Sequence, residues 1–175
     1  MNADRWIERI FQGDSQALDE LVEAFYPEIL RYCLWHAPNP SLAEDAAQET
    51  FLKAIRYLDR YSHKGKFKAY LYSIAANTCI DMGRKKYLGD VSLEDLSGEF
   101  SGSDSGLEQL QSDIFLRQLV RQLPEDSREL VILRYGQDLT LREIAQVTGI
   151  PLRTVQSKLR RALQTLKKEL EADHQ

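Results

Sequence analysis

Residues Asp138–Leu170 read DLTLREIAQVTGIPLRTVQSKLRRALQTLKKEL, and the punctuation inside this stretch decides how the chain folds. Thr140, followed three residues later by Glu143, forms a capping box, in which the hydroxyl accepts from the third helical amide and the carboxylate reaches back to the cap amide. Leu139 and Ile144 fall where two apolar side chains staple a helix start. A helix therefore begins here. Gly149 follows Ala145 by four residues and can take the left-handed conformation that ends such a helix, while Pro151 suits the first turn of a second one. Ala145 is small where two helices would cross, and Ile144, Ile150 and Val155 supply an apolar wedge between them. Together these cues predict a helix-turn-helix.

In the second helix Val155, Leu159, Ala162, Leu163, Leu166 and Leu170 recur at helical spacing and are expected to face inward. That leaves Arg153, Thr154, Gln156, Ser157, Lys158, Arg160 and Arg161 on the outer face. Such side chains suit a DNA groove: Gln pairs with adenine edges, Arg with guanine, Ser with base edges or phosphate, and Lys with phosphate. The formal net charge is −4, yet residues 151–168 hold Arg153, Lys158, Arg160, Arg161, Lys167 and Lys168 with no acid. Residues 60–88 are also basic, with Arg60, Lys64, Lys66, Lys68, Arg84, Lys85 and Lys86 against Asp81 alone, whereas residues 1–59 carry eleven acids and five basic side chains. Polyanion binding answers to the local field, so an acidic total does not argue against it.

Working outward, apolar residues recur at three and four almost everywhere. Leu18, Leu21, Val22, Phe25, Ile29, Leu30 and Cys33 form one face of a helix, or of a helix pair interrupted near Pro27. Ala43, Ala46, Ala47, Thr50, Phe51, Ala54, Ile55 and Leu58 form another, and Phe67, Tyr70, Leu71, Ile74, Ala75, Thr78 and Cys79 a third. Leu116, Leu119, Val120 and Leu123 precede a break at Pro124, after which Leu130, Val131, Leu133 and Tyr135 run up to Gly136. Between Gly89 and Glu108 this periodicity stops; six acids, several Gly and Ser and no Lys or Arg make a self-repelling connector. The expectation is an all-α protein of two small helical domains, 1–88 and 109–175, joined by a flexible acidic linker over 89–108.

Several function classes recede. No apolar run is long enough to span a bilayer and the charged N-terminus lacks the apolar core of a signal peptide, so a cytoplasmic protein without membrane insertion is expected. Cys33 and Cys79 form no CxxC pair, and His36, His63 and His174 lack metal-ligand spacing. Reduced thiols on apolar helix faces, no metal, no cofactor and no catalytic residues follow as expectations. A Gly-rich phosphate loop, HExxH and GxSxG are all missing, so the chain is not expected to be an enzyme. The basic stretch instead interleaves Lys64, Lys66 and Lys68 with Tyr61, Phe67, Tyr70 and Tyr72, the combination that draws in and stacks a single strand, although Phe67 and Tyr70 are expected to be at least partly core.

These residues carry a resemblance. AEDAAQETFLKA (Ala43–Ala54) is similar to the region 2.2 signature of bacterial sigma factors, KAYLYSIAANTCID (Lys68–Asp81) resembles regions 2.3 to 2.4, and the C-terminal helix-turn-helix resembles region 4. A short chain with only these two domains resembles the extracytoplasmic-function (group 4) sigma factors of RNA polymerase, over roughly residues 11–170. Ala46 and Ala47 stand where bulkier residues are usual, and Tyr70 where Trp is usual.

The resemblance implies roles by position. Asp45, Gln48, Glu49 and Phe51 would dock on the clamp helices of the polymerase β′ subunit, and the C-terminal domain on the β flap. Tyr61, Ser62, His63, Lys64, Lys66, Phe67 and Lys68 would form the loop that captures a flipped base of the −10 element, with Asn77 beside it. Gln156, Ser157, Arg160 and Arg161 would read the −35 element, with Arg153, Thr154 and Lys158 nearer the backbone. The linker would run through the active-site cleft and RNA exit channel, and an anti-sigma partner is a family expectation. The rival is a two-domain helix-turn-helix regulator that dimerises and binds duplex operator DNA without polymerase.

Overall fold

A computed structural model describes residues 3–62, 65–87 and 107–173. Among them there is no strand; eight α-helices succeed one another as α1 (Ala3–Phe11), α2 (Ser15–His36), α3 (Pro40–Arg56), α4 (Phe67–Tyr87), α5 (Leu107–Gln122), α6 (Glu125–Val131), α7 (Leu141–Thr148) and α8 (Leu152–Asp173). The chain divides into two compact units, Met1–Glu99 and Phe100–Gln175. The expected linker lies outside the described residues, apart from Leu107 and Glu108, which already belong to α5.

In the first unit α2 is the central element, packed on α1, α3 and α4. Asp14 caps it, accepting from the amides of Gln16 at 3.0 Å and Ala17 at 3.3 Å. Of the two readings left open at Pro27, one continuous helix is what forms. Pro27 and Glu23 are both exposed, so the Glu23 carbonyl that loses its amide donor sits where water reaches it. On the opposite face Leu21, Phe25, Ile29, Tyr32 and Cys33 are buried. Asn39 caps α3 through the Leu42 amide at 2.9 Å. Ala43, Ala46, Ala47 and Ala54 of that helix are all buried, so the small residues let α3 seat closely against α2 and α4. Between α2 and α4 the sulfurs of Cys33 and Cys79 lie 3.9 Å apart as thiols, although 46 residues separate them in sequence.

The second unit is built on Leu119, Val120, Leu123, Leu130, Val131, Ile132, Leu133, Leu139, Ile144, Val155, Leu159 and Ala162, all buried. Pro124 ends α5 and starts α6, and Arg128 turns back to donate to the carbonyls of Arg121 at 2.7 Å and Leu123 at 3.0 Å, satisfying the end of α5. Ile132–Gly136 continues α6 as one wider π-type turn. The Leu139 amide donates to the Leu133 carbonyl at 3.0 Å and Arg134 to the Leu139 carbonyl at 2.8 Å, tying that turn to the start of α7.

Candidate nucleic-acid and polymerase interfaces

The turn between α7 and α8 has the expected geometry. Thr140 Oγ1 accepts from the Glu143 amide at 3.2 Å while the Glu143 carboxylate accepts from the Thr140 amide at 2.7 Å. Gly149 ends α7 at φ +71°, its amide donating to the Ala145 carbonyl at 3.0 Å. Pro151 falls at the cap of α8, not in its first turn, and its carbonyl accepts from the Val155 amide at 3.0 Å. Ile144 and Val155 are fully buried in the angle between the helices.

This turn fixes which face of α8 is free. Val155, Leu159 and Ala162 are buried, while Arg153, Gln156, Ser157, Arg160 and Arg161 are exposed and Thr154 and Lys158 half-buried. Leu163 was expected to face inward but is 40% exposed. At about 100° per residue it falls on the flank of the Val155–Leu159–Ala162–Leu166 stripe, where the body of the unit no longer covers it. Lys158 is ion-paired with Asp126 of α6, whose carboxyl is thereby held below the usual carboxylate range.

In the first unit the described residues of the basic, aromatic segment are contacted from several directions. Phe67 and Tyr72, two of the rings offered for stacking, are core: Phe67 packs edge-on against Phe25 at 5.3 Å and Tyr72 against Tyr32 at 5.5 Å. Tyr61 and Tyr70 are half-buried with ring centroids 5.2 Å apart, and the Tyr70 hydroxyl donates to the Ala54 carbonyl at 3.1 Å. Ser62 and Lys66 are exposed. Lys68 lies 3.3 Å from Glu28 and above the Tyr72 ring, so its charge is partly matched within the protein. His63 and Lys64 lie outside the described residues. Asn77 is exposed but ten residues beyond Phe67, about 15 Å along α4, so loop and asparagine occupy different heights of one helix.

On α3, Asp45, Gln48 and Glu49 are exposed, whereas Phe51 is buried and packs on Tyr26 at 5.9 Å, supporting that face from beneath. Leu52 and Ile55 are exposed beside them, 60% and 37% respectively. Sequence periodicity had counted Ile55 inward; Leu52, an apolar residue off the periodic stripe, was the available signal. Lys53 lies 3.8 Å from both Glu49 and Asp81, linking this acidic surface to α4.

Among the described residues no His, Cys, Asp and Glu gather into a metal site, and no helix is long and apolar enough to cross a membrane. What the two units do offer is an outward polar and cationic helix face behind a capped turn, an aromatic-lined basic segment, and an acidic helix edged with apolar side chains.

Comparison with known proteins agrees with this arrangement. Residues 21–88 match the Sigma-70 region 2 family and residues 116–166 match Sigma-70, region 4. The chain is 33% identical over 179 residues to the RNA polymerase sigma-H factor of Pseudomonas aeruginosa, covering 94% of this chain and 92% of that one. It is 30% identical over 176 residues to the ECF RNA polymerase sigma factor SigW of Bacillus subtilis, covering 94% of each. The fold matches that of the sigma factor RpoE from Bartonella quintana, solved with the anti-sigma factor NepR, with TM-score 0.71 and 22% identity over 89% of this chain and 97% of that one. The chain belongs to the ECF sigma factors of RNA polymerase, and is thus a transcription initiation factor rather than an enzyme.

Proposed function

We propose that the protein binds core RNA polymerase in the cytoplasm and opens promoters by reading two elements in two physical states. The domains are residues 1–88 and 109–175, with 89–108 as the connector through the polymerase. α8 enters the major groove of the −35 element as duplex, Gln156, Ser157, Arg160 and Arg161 meeting base edges and Arg153, Thr154 and Lys158 the backbone. Tyr61–Lys68 captures the −10 element as unpaired strand, with Asn77 further along it. Extruding a base costs a few kcal/mol, which strand contacts repay without nucleotide hydrolysis. Asp45, Gln48 and Glu49 dock on the β′ clamp helices, Phe51 holding their helix in place, and the C-terminal domain sits on the β flap. An anti-sigma partner, like that solved with the Bartonella RpoE, would cover these surfaces.

The observation that carries the reading is the exposed set Arg153, Gln156, Ser157, Arg160 and Arg161 standing directly after a capped helix-turn-helix turn. The test is transcription from promoter DNA by the purified chain with core polymerase, on closed duplex and on a preformed bubble. Initiation only with polymerase and chain together is expected; specific duplex binding by a free dimer without polymerase would favour a regulator instead.

A further inference from the structure

The first turn of α1 carries a carboxylate that reaches far across the fold. Asp4 Oδ2 accepts from the Gly65 amide at 2.5 Å and Asp4 Oδ1 from the Tyr61 hydroxyl at 3.1 Å, contacts spanning 61 and 57 residues. The Tyr61 hydroxyl oxygen in turn accepts from the Lys66 amide at 3.0 Å. Gly65 is in the left-handed region at φ +78°, so its amide direction depends on a conformation that other residues rarely adopt. Two successive amides, Gly65 and Lys66, are thus satisfied by one side chain directly and by another that it holds.

α1 itself is firmly placed. Ile7 is buried, Trp6 Nε1 donates to Glu20 at 2.8 Å, and Arg9 bridges Glu20 at 2.8 Å and Asp14 at 2.7 Å, fastening the helix to the start of α2. Through Asp4 this pair of helices holds the Tyr61 hydroxyl and the Gly65 amide directly, and the Lys66 amide by way of Tyr61. A carboxylate at that position works against the phosphates that Lys66 would attract, so charge recognition of a strand does not account for it. Its presence is explained by position: the acceptor pre-orders backbone that would otherwise have to be ordered when DNA arrives.

We infer that Asp4 is a positioning residue for strand capture, setting the Tyr61 side chain and the Gly65 and Lys66 amides in their binding arrangement before the promoter is engaged. The inference rests on the reading of this segment as the −10 strand site. It predicts that Asp4→Ala weakens capture of a fluorescent non-template −10 oligonucleotide by holoenzyme about tenfold, the size of one net hydrogen bond to a charged acceptor, since water replaces part of what the exposed amides lose. Asp4→Asn, which retains one acceptor oxygen, recovers part of that loss. Core association and binding to −35 duplex stay as in the wild type. In a cycle with Tyr61→Phe the two losses fail to add, because both residues act through one network.

Capture by Asp4→Ala holoenzyme at wild-type strength overturns the inference, as does an equal loss in core association, which would mean general damage to the unit. Additive losses in the cycle also overturn it. If wild-type holoenzyme itself fails to take up the oligonucleotide, the assignment of the strand site falls and the role of Asp4 with it, a result separable from the others by the wild-type control alone.

Discussion

Gly149 has no heavy atom within 4 Å of the place where a Cβ would stand, yet its φ is +71°. Gly149→Ala therefore meets no clash, only the strain of a left-handed backbone, and is expected to destabilise the C-terminal unit by about 1–2 kcal/mol in denaturant titration. Arg161 presents the opposite situation: exposed, and without consequence for packing. Arg161→Ala is expected to cost about 1–3 kcal/mol of discrimination at a single base pair, visible as a flattened position in a binding selection with holoenzyme and unchanged thermal stability. Both residues were legible in sequence because their signals are local: a glycine four residues past Ala145, an arginine off an apolar stripe. Asp4 was not, since its partners stand 57 and 61 residues away and nothing around it differs from any acidic helix start. For Phe51 periodicity gave the inward face it has, but not the Tyr26 ring it packs on, because periodicity assigns a face without saying which neighbour covers it.

Elements are held by how their ends are matched. Arg9, by hydrogen bonds to both, holds the carboxyls of Glu20 and Asp14 below their ordinary range, with Trp6 adding to the effect on Glu20. A carboxyl whose folded value is depressed contributes stability above its unfolded value and loses it as pH falls through the folded one. The α1–α2 junction is therefore expected to loosen in acid, starting below about pH 4, the unfolded carboxylate range. Trp6 fluorescence in a Trp35→Phe background, which removes the second tryptophan, followed down an acid titration measures this, and Glu20→Gln should blunt the transition. Placement of the helices after α1 was readable from spacing, and that of α7 from its caps as well; α1 carried no such reading, and the caps at Asp14 and Asn39 came from the structure. Continuity through Pro27 was not, because it turns on whether the freed carbonyl faces water or core, which depends on how α1, α3 and α4 surround α2. The approach of Cys33 to Cys79 has the same origin. The Cys79 sulfur and burial together push the Cys33 thiol well above its usual range, so it packs as a small apolar side chain.

For the molecule as a whole, charge is distributed rather than balanced: an acidic first 59 residues, and basic stretches over 60–88 and 151–168, within a total of −4. The architecture of two helical units was plain from sequence because the break in periodicity and the change in charge coincide. Which cations remain available was not plain, because that depends on pairs formed in space. The ion pair between Lys158 and Asp126, 32 residues apart, is the clearest instance. If Lys158 meets a phosphate as proposed, the duplex would shed a condensed counterion while the abandoned Asp126 would gather a cation from solution. Salt titrations of −35 binding are thus expected to report a net release smaller than the number of phosphates touched, and Asp126→Asn to steepen the log–log slope by up to about one ion while strengthening binding at low salt.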